Sequence, residues 1–144
     1  MKLNLEVEII QTSIYCNIIP MLLKEHNSLS LNKLIVYSYL LKKESLIPHS
    51  VFKSTNNKDI VNKYLSLLSG DLNNLFYSYK YILEAIHILL RNELIKLNGT
   101  IITKTNKLEI EKFVYKEDEF TKKVIEKTKT MSDKQFMREV LSNV

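Results

Sequence analysis

The residues of this chain that could perform chemistry are few and lie far apart in the sequence. Cys16 is the single cysteine, and His26, His49 and His87 are the three histidines. The histidines lack the i, i+4 spacing and the flanking carboxylates that a metal site would use. Cys16 lies among apolar residues of a predicted helix, which favours a small buried core residue over a nucleophile. We therefore expect no metal site and no catalytic cysteine.

Nucleotide binding and acid–base catalysis also lack a recognisable motif. The only two glycines, Gly70 and Gly99, cannot form a phosphate-binding loop of the G-x-x-x-x-G-K or G-x-G-x-x-G type. No pair of carboxylates stands at helical spacing in an apolar setting, as a general acid and base would require. Glu117, Asp118 and Glu119 form a cluster, but negative charge suits the exposed first turn of a helix. The sequence predicts a non-catalytic protein without a cofactor.

A polar stripe is the best candidate for a functional surface. Its members repeat at steps of four, three and four residues, so they share one face of a predicted helix: Lys80, Glu84, His87 and Arg91. In a DNA-binding winged helix this face would enter the major groove. Glu84 would repel phosphate there, and the stripe is poor in the Arg, Asn and Gln side chains that read base edges. A solvated face, a protein contact and a DNA contact are the three interpretations.

The stripe belongs to a predicted helix that runs directly into a β-hairpin, from Ser78 to Thr105. Ser78 is the expected N-cap, and the apolar residues recur at helical spacing: Ile82, Leu83, Ile86, Leu89 and Leu90. Two β-prone runs follow, Leu94 to Leu97 and Thr100 to Thr105. Asn98-Gly99 between them is the dipeptide best suited to a type I′ hairpin turn.

Lysines on or near this hairpin are further candidates for contact with a partner or with DNA: Lys96, Lys104 and Lys107. They could touch a phosphate backbone. Lysines on a hairpin also keep an exposed strand edge from pairing with another chain. Both interpretations are open.

Helices are also predicted before and after this core. The earlier ones cover Glu8 to Lys24, interrupted by Pro20, then Leu31 to Lys43 with Ser28 or Ser30 as cap, and Asp59 to Ser69 ended by Gly70. Asp71 to Tyr77 is expected to be a short connecting segment. The order of helix, turn, helix and hairpin is that of a winged helix-turn-helix domain, so we predict a mostly α, winged-helix-like core over residues 1–110.

Residues 111–144 are predicted to form a C-terminal helical extension. One helix covers Glu117 to about Lys129, and Ser132 caps a second. The second carries an apolar stripe: Phe136, Met137, Val140 and Leu141. This stripe either packs back on the domain or docks on a partner subunit. Tyrosines at alternating positions cannot all face inward on a helix, so some are expected at a surface suited to protein recognition: Tyr37, Tyr39, Tyr77, Tyr79 and Tyr81.

The composition describes a single helical unit with a mild positive charge. The chain has 144 residues, 45% hydrophobic content and a net charge of +5, with the two signs interspersed. Domains that bind nucleic acid independently usually concentrate positive charge on one face. No apolar run is long enough for a membrane span, and the acidic residues in MKLNLEVEII do not suit a signal peptide. We expect a cytoplasmic protein, and the single cysteine agrees with a reducing compartment.

Three segments together resemble a known family. QTSIYCNIIPMLL, LSLNKLIVYSYLL and FYSYKYILEAIHILLRNELIKLNGTIITKT, followed by two charged C-terminal helices, are similar to the middle component of bacterial three-component ABC systems. That family includes the small accessory subunit of Lamassu-type anti-phage defence. The resemblance covers the chain from about Gln11 to Ser142 and is carried by patterns of apolar and small residues.

The resemblance implies a non-enzymatic subunit of a hetero-oligomer. Such a subunit bridges an SMC-like ABC ATPase and an effector, often a nuclease. The ATPase would sense or clamp aberrant DNA ends, and this protein would restrain or position the effector. The alternative from the residues is a winged-helix transcription regulator that binds DNA as a dimer.

Overall fold

The computed structural model describes residues 2–44, 70–108, 115 and 119–143. This part of the chain is mostly helical, with one small antiparallel sheet, as the sequence predicts. The elements in chain order are α1 (Lys2–His26), β1 (Ser28–Ser30), α2 (Leu31–Glu44), α3 (Leu72–Arg91), β2 (Ile95–Asn98), β3 (Ile101–Lys104), α4 (Glu119–Thr128) and α5 (Asp133–Asn143). The predicted helix at 59–69, His49, Glu117 and Asp118 lie outside the described residues.

Helix α1 is longer than predicted at both ends and contains Pro20 within its span. Its second half is the centre of the core, because Tyr15, Ile18 and Leu22 are fully buried. Burial raises the pKa of the Tyr15 hydroxyl to about 12. The helix ends where Asn27 takes a positive φ of 64° and its amide donates to the carbonyl of Leu23 at 2.9 Å. Asparagine tolerates this left-handed conformation, which gives α1 its C-terminal stop.

Ile10 does not lie on the buried face of α1, although it recurs at helical spacing with Ile14 and Ile18. Ile10 is 58% exposed. Helix α2 runs back along α1, since Lys42 near its end donates to Gln11 and lies 5.3 Å from the ring centroid of Tyr15. The described part of α2 therefore ends at about the level of Gln11 and does not cover Ile10.

Helix α2 confirms the helix predicted from Leu31 to Lys43. Every residue from Lys33 to Leu41 is buried, which explains why this segment has no polar face in the sequence. Ser30 Oγ accepts from the amide of Lys33 at 3.4 Å, the bond expected of an N-cap.

A strand that the sequence did not predict precedes α2. β1 pairs antiparallel with β3, which also pairs with β2, so the strand order is β1-β3-β2. Leu29 faces Ile102 at the centre of the β1–β3 register, and both side chains are buried. Three residues of SLS carry too little periodicity to be recognised as a strand, and only the partner strand β3 makes them one.

The predicted type I′ turn at Asn98-Gly99 is wrong by one residue. Asn98 is still paired, opposite Ile101, so the two-residue loop is Gly99-Thr100. Only Gly99 of these two residues has a positive φ, at 60°. Type I′ requires positive φ at both central positions, whereas type II′ has glycine at the first, so the dihedral pattern fits type II′.

Helix α3 begins at Leu72, which overturns the prediction of a connecting segment from Asp71 to Tyr77 and of Ser78 as N-cap. Asp71 is the residue before the helix. Ser78 lies in the second turn with its side chain buried, on the same face as Leu75 and Ile82. The spacing of three and four residues that marks the core face simply continues through Ser78 toward the N-terminus, so a small polar residue was mistaken for a boundary.

The two C-terminal helices close the core. Val124, Ile125 and Phe136 are fully buried, and the Phe136 ring meets Tyr37 edge to face with centroids 5.4 Å apart. The hydroxyls of Tyr37 and Thr128 are hydrogen bonded at 2.6 Å. The amide of Gln135 donates to Ser132 Oγ at 3.1 Å, which confirms the predicted cap of α5. The side chain of Phe120 lies outside the described residues.

The apolar stripe of α5 is divided between core and surface. Phe136 and Val140 pack back on the domain, Met137 is half-buried, and Leu141 is 62% exposed. The packing interpretation of this stripe is therefore correct for its two most buried members.

Substitution Phe136→Ala tests this closure. Truncation of a fully buried aromatic side chain leaves a cavity and is expected to lower the free energy of unfolding by about 3–5 kcal/mol. Leu141→Ala on the same helix is the control, expected to stay within about 0.5 kcal/mol of the wild type. Urea unfolding followed by circular dichroism measures both. Equal, small effects would mean that α5 does not pack on the core.

The turn is tested by Gly99→Ala and Asn98→Ala. No atom lies within 4 Å of a Cβ added at Gly99, so the cost there is conformational alone. An alanine held at φ near 60° is expected to cost about 1–2 kcal/mol, while Asn98→Ala on the exposed strand end stays within about 0.5 kcal/mol. Thermal unfolding distinguishes the two. A larger loss of stability from Asn98→Ala than from Gly99→Ala would favour a type I′ turn at Asn98-Gly99.

Candidate functional site

The polar stripe of α3 is partly occupied by contacts with α1. Lys80 Nζ lies 2.9 Å from Glu8 Oε1, and Thr12 Oγ1 donates to Glu84 Oε2 at 3.1 Å. Both pairs are 72 residues apart, so the two helices run in the same direction where these side chains meet. The hydrogen bond with Glu8 raises the pKa of Lys80. Lys80 and Glu84 thus contact a neighbouring helix, but all four residues of the stripe are exposed to solvent.

A groove of about 530 Å³ lies beside this pairing, between the first half of α1 and the second half of α3. Its apolar walls include Leu5, Ile9 and Ile88, which are 58%, 57% and 43% exposed. The full lining is Leu5, Glu8, Ile9, Thr12, Ser13, Cys16, Glu84, His87 and Ile88. In the described part of the chain, two carboxylates and no lysine or arginine line this groove.

Sequence reasoning missed the groove residues of α1. Leu5, Ile9 and Thr12 recur at steps of four and three residues before Cys16, so they form one stripe at helical spacing. That signal was readable in the sequence, but the predicted helix began only at Glu8. Cys16, expected as a buried core residue, is half-buried at the base of this stripe. Burial raises the pKa of its thiol, which disfavours the reactive thiolate.

The candidate wing lysines do not form one basic surface. Lys96 is exposed on β2 and pairs in register with Thr103, whereas Lys104 is half-buried opposite Ile95. Lys107 Nζ lies 2.7 Å from Glu93 Oε2, and this hydrogen bond lowers the pKa of the Glu93 carboxyl. Of these three lysines, Lys107 is already engaged in a local ion pair.

Aromatic side chains are exposed near the start of α3. Phe76, Tyr77 and Tyr79 lie at the surface, while Tyr37, Tyr39 and Tyr81 are buried. The prediction that some of the tyrosines lie at a surface is confirmed. Phe76, at 64% exposure, was not singled out from the sequence.

A second cavity, of about 550 Å³, lies between the end of α1, β1 and the α4–α5 link. Lys33 Nζ donates to the carbonyls of Lys129, at 2.9 Å, and Met131. A cation at this position suits the negative C-terminal end of helix α4. His26 Nδ1 lies 3.7 Å from Glu126 Oε1 nearby. These contacts tie α4 to the core. Among the residues that the structure describes, no cluster of histidine, cysteine and carboxylates suits a metal ion.

The most connected titratable group is Asp71, just before α3. Lys43 Nζ lies 2.5 Å from its Oδ2, the Tyr39 hydroxyl donates to the same oxygen, and Asn74 donates to Oδ1 at 2.6 Å. Burial raises the pKa of the Asp71 carboxyl, but the bonds from Lys43, Tyr39 and Asn74 outweigh it and hold the pKa below its usual value. The cluster joins α2 to the start of α3.

Comparison of the chain with models of protein families, with curated proteins and with solved structures found no match. Within the described residues, no helix combines the length and the apolar character needed to cross a membrane.

The Asp71 cluster predicts a pH-dependent contribution to stability. Because the pKa of Asp71 is lowered in the folded protein, its contribution is present above the unfolded pKa of about 3.9 and is lost as the pH falls through the folded value. Relative to Asp71→Asn, the wild type is expected to be more stable at pH 6, and this difference should shrink below about pH 4. Urea unfolding of both proteins from pH 3 to 7 measures it. A difference that is constant across this range would contradict the assignment.

Proposed function

We propose that this chain is a non-catalytic adaptor subunit of a bacterial anti-phage defence complex, bridging an SMC-like ABC ATPase and an effector nuclease. The proposal joins the resemblance of the three segments to the middle components of three-component ABC systems with one observation. On the face of α3 that a DNA-binding winged helix would insert into the major groove, Lys80 is paired with Glu8 of α1 and Glu84 adds a carboxylate. That observation favours a docking scaffold over a DNA reader.

The element order supports a winged-helix type of scaffold. A helix, a short strand, two helices and a hairpin follow one another, and the sheet order is β1-β3-β2. In a winged-helix domain, α3 would be the recognition helix and the β2–β3 hairpin the wing. Because a fold does not dictate a function, the use of this scaffold has to be argued from its surface.

The charges of α3 argue against DNA as its main partner. Lys80 is neutralised by Glu8, and Glu84 adds a second carboxylate to the same side of the helix pair. A carboxylate facing a phosphate backbone repels it, whereas DNA affinity grows with the number of phosphates that are neutralised. The remaining residues of the stripe are His87 and Arg91. They supply too little positive charge for a helix that binds DNA in the major groove.

The exposed apolar side chains favour protein contact. Leu5, Ile9 and Ile88 line one groove, and Phe76 and Tyr77 are exposed toward the other end of α3. Exposed apolar and aromatic patches on a globular domain mark protein interaction sites. An adaptor with two partners needs two such surfaces, and these patches lie on different parts of α3.

Co-expression with the adjacent genes tests the proposal. If one of them encodes a coiled-coil ABC ATPase, we expect that ATPase and this chain to co-purify as a complex that survives about 0.5 M salt, because apolar contacts are insensitive to screening. The double variant Lys96→Ala/Lys104→Ala is the matched control and is expected to leave the complex intact. A gene that stands without such a neighbour, or an ATPase that does not associate, would exclude the adaptor role.

The wing lysines favour one alternative, a winged-helix regulator that binds DNA as a dimer. Binding of the isolated chain to duplex DNA across a salt series separates the two functions. A regulator would show a steep loss of affinity with salt, and the Lys96→Ala/Lys104→Ala variant would reduce the salt slope by about 2. An adaptor shows neither effect.

A further inference from the structure

We infer that the groove between α1 and α3 binds an amphipathic helix of a partner protein, with an apolar stripe flanked by lysine or arginine. The inference rests on the proposed function in taking protein docking as the role of the chain. It goes further by assigning the surface and the chemistry of the segment that occupies it.

The shape of the groove suits a helix. Its floor and one wall follow a single face of α1 from Leu5 through Ile9 to Cys16, a length of about 16 Å at the helical rise of 1.5 Å per residue. Ile88 on α3 forms the opposite apolar wall. Three turns of a helix span this length, and anchors at i, i+4 and i+7 would enter it, as in other helix-in-groove complexes.

The charge of the groove specifies the flanks of that helix. Glu8 and Glu84 lie in the lining, on opposite helices, and Glu6 is exposed one turn away from Ile9. Among the residues that the structure describes, no lysine or arginine lines the groove, although the whole protein carries a net charge of +5. Lys80 pairs with Glu8 from outside the lining, so two carboxylates and one ammonium leave a negative local charge, opposite in sign to the net charge of the protein. Complementary charge across an interface determines partner choice, so basic flanks are favoured and acidic flanks are disfavoured.

The test uses two fluorescent 18-residue peptides that differ only in their flanks. Both carry leucine at i, i+4, i+7 and i+11, one with lysine and the other with glutamate at the flanking positions. Fluorescence anisotropy with the full chain is expected to show saturable binding of the lysine peptide and at least tenfold weaker binding of the glutamate peptide. General attraction by a +5 protein would give the reverse order.

Two adjacent isoleucines provide a matched pair of variants. Ile9 and Ile10 belong to the same helix and are 57% and 58% exposed, but only Ile9 lines the groove. Ile9→Gln is expected to weaken binding of the lysine peptide roughly tenfold, because it removes apolar contact area. Ile10→Gln is expected to leave the affinity for this peptide unchanged. Glu84→Gln keeps a hydrogen-bond acceptor for Thr12 but removes the negative charge. It is therefore expected to reduce the ratio of affinities for the lysine and glutamate peptides. Circular dichroism verifies that all three variants fold.

Three results would overturn the inference. They are equal or tighter binding of the glutamate peptide, equal losses from Ile9→Gln and Ile10→Gln, and a homodimer in sedimentation that Ile9→Gln dissolves, which would make a second copy the occupant. Failure of the peptide test while the ATPase co-purifies removes only this groove assignment. Groove binding without an associated ATPase removes only the adaptor role.

Discussion

The parallel packing of α1 against α3 is the constraint on which the rest of the structure depends. It is the most extensive contact between elements in the described part of the chain, and its buried face joins Tyr15, Ile18 and Leu22 to Ile82 and Leu89 in one core. Burial of several large side chains along two helices contributes stability at roughly 25 cal/mol per Å² of apolar surface. Every other element is placed relative to this pair.

The remaining elements pack on different sides of the α1–α3 pair. Helix α2 runs back along α1, and Asp71 ties it to the start of α3 through Lys43 and Tyr39. The sheet follows α3 directly and joins β1, at the end of α1, to the hairpin. Helices α4 and α5 cover α2 through the contact of Phe136 with Tyr37 and the capping of α4 by Lys33. The C-terminal helices are thus part of the same core as the helices and strands that precede them.

The same packing shapes the surface that we propose for docking. Because α1 extends over α3, the polar side chains Lys80 and Glu84 are used in contacts with Glu8 and Thr12. Glu84 and His87 of this face line the groove together with Ile88. The groove lies beside this helix pair, and the side chains that line it determine which partner it can bind.

The sequence by itself determined the periodic elements and their composition. Helix α2, the long helix before the hairpin, the Ser132 cap and the absence of a phosphate-binding loop are all local properties, since they depend on residues within a few positions of one another. The same local patterns predict the wrong boundary of a helix or turn where a polar residue suits both a boundary and the interior of an element. Ser78 was taken for a cap although it continues the buried face of α3, and Asn98 was taken for a turn residue although it is paired with Ile101.

Only the tertiary structure decided which faces meet. The strand β1 exists because β3 pairs with it, Ile10 is 58% exposed although it lies at helical spacing with the buried Ile18, and the groove lies where α1 contacts α3. Helical spacing defines the face on which a side chain lies but not the element that covers that face. Contacts between distant segments determine which element covers each face. In this chain they bring α1 against the polar stripe of α3 and leave the apolar stripe of α1 open to a partner.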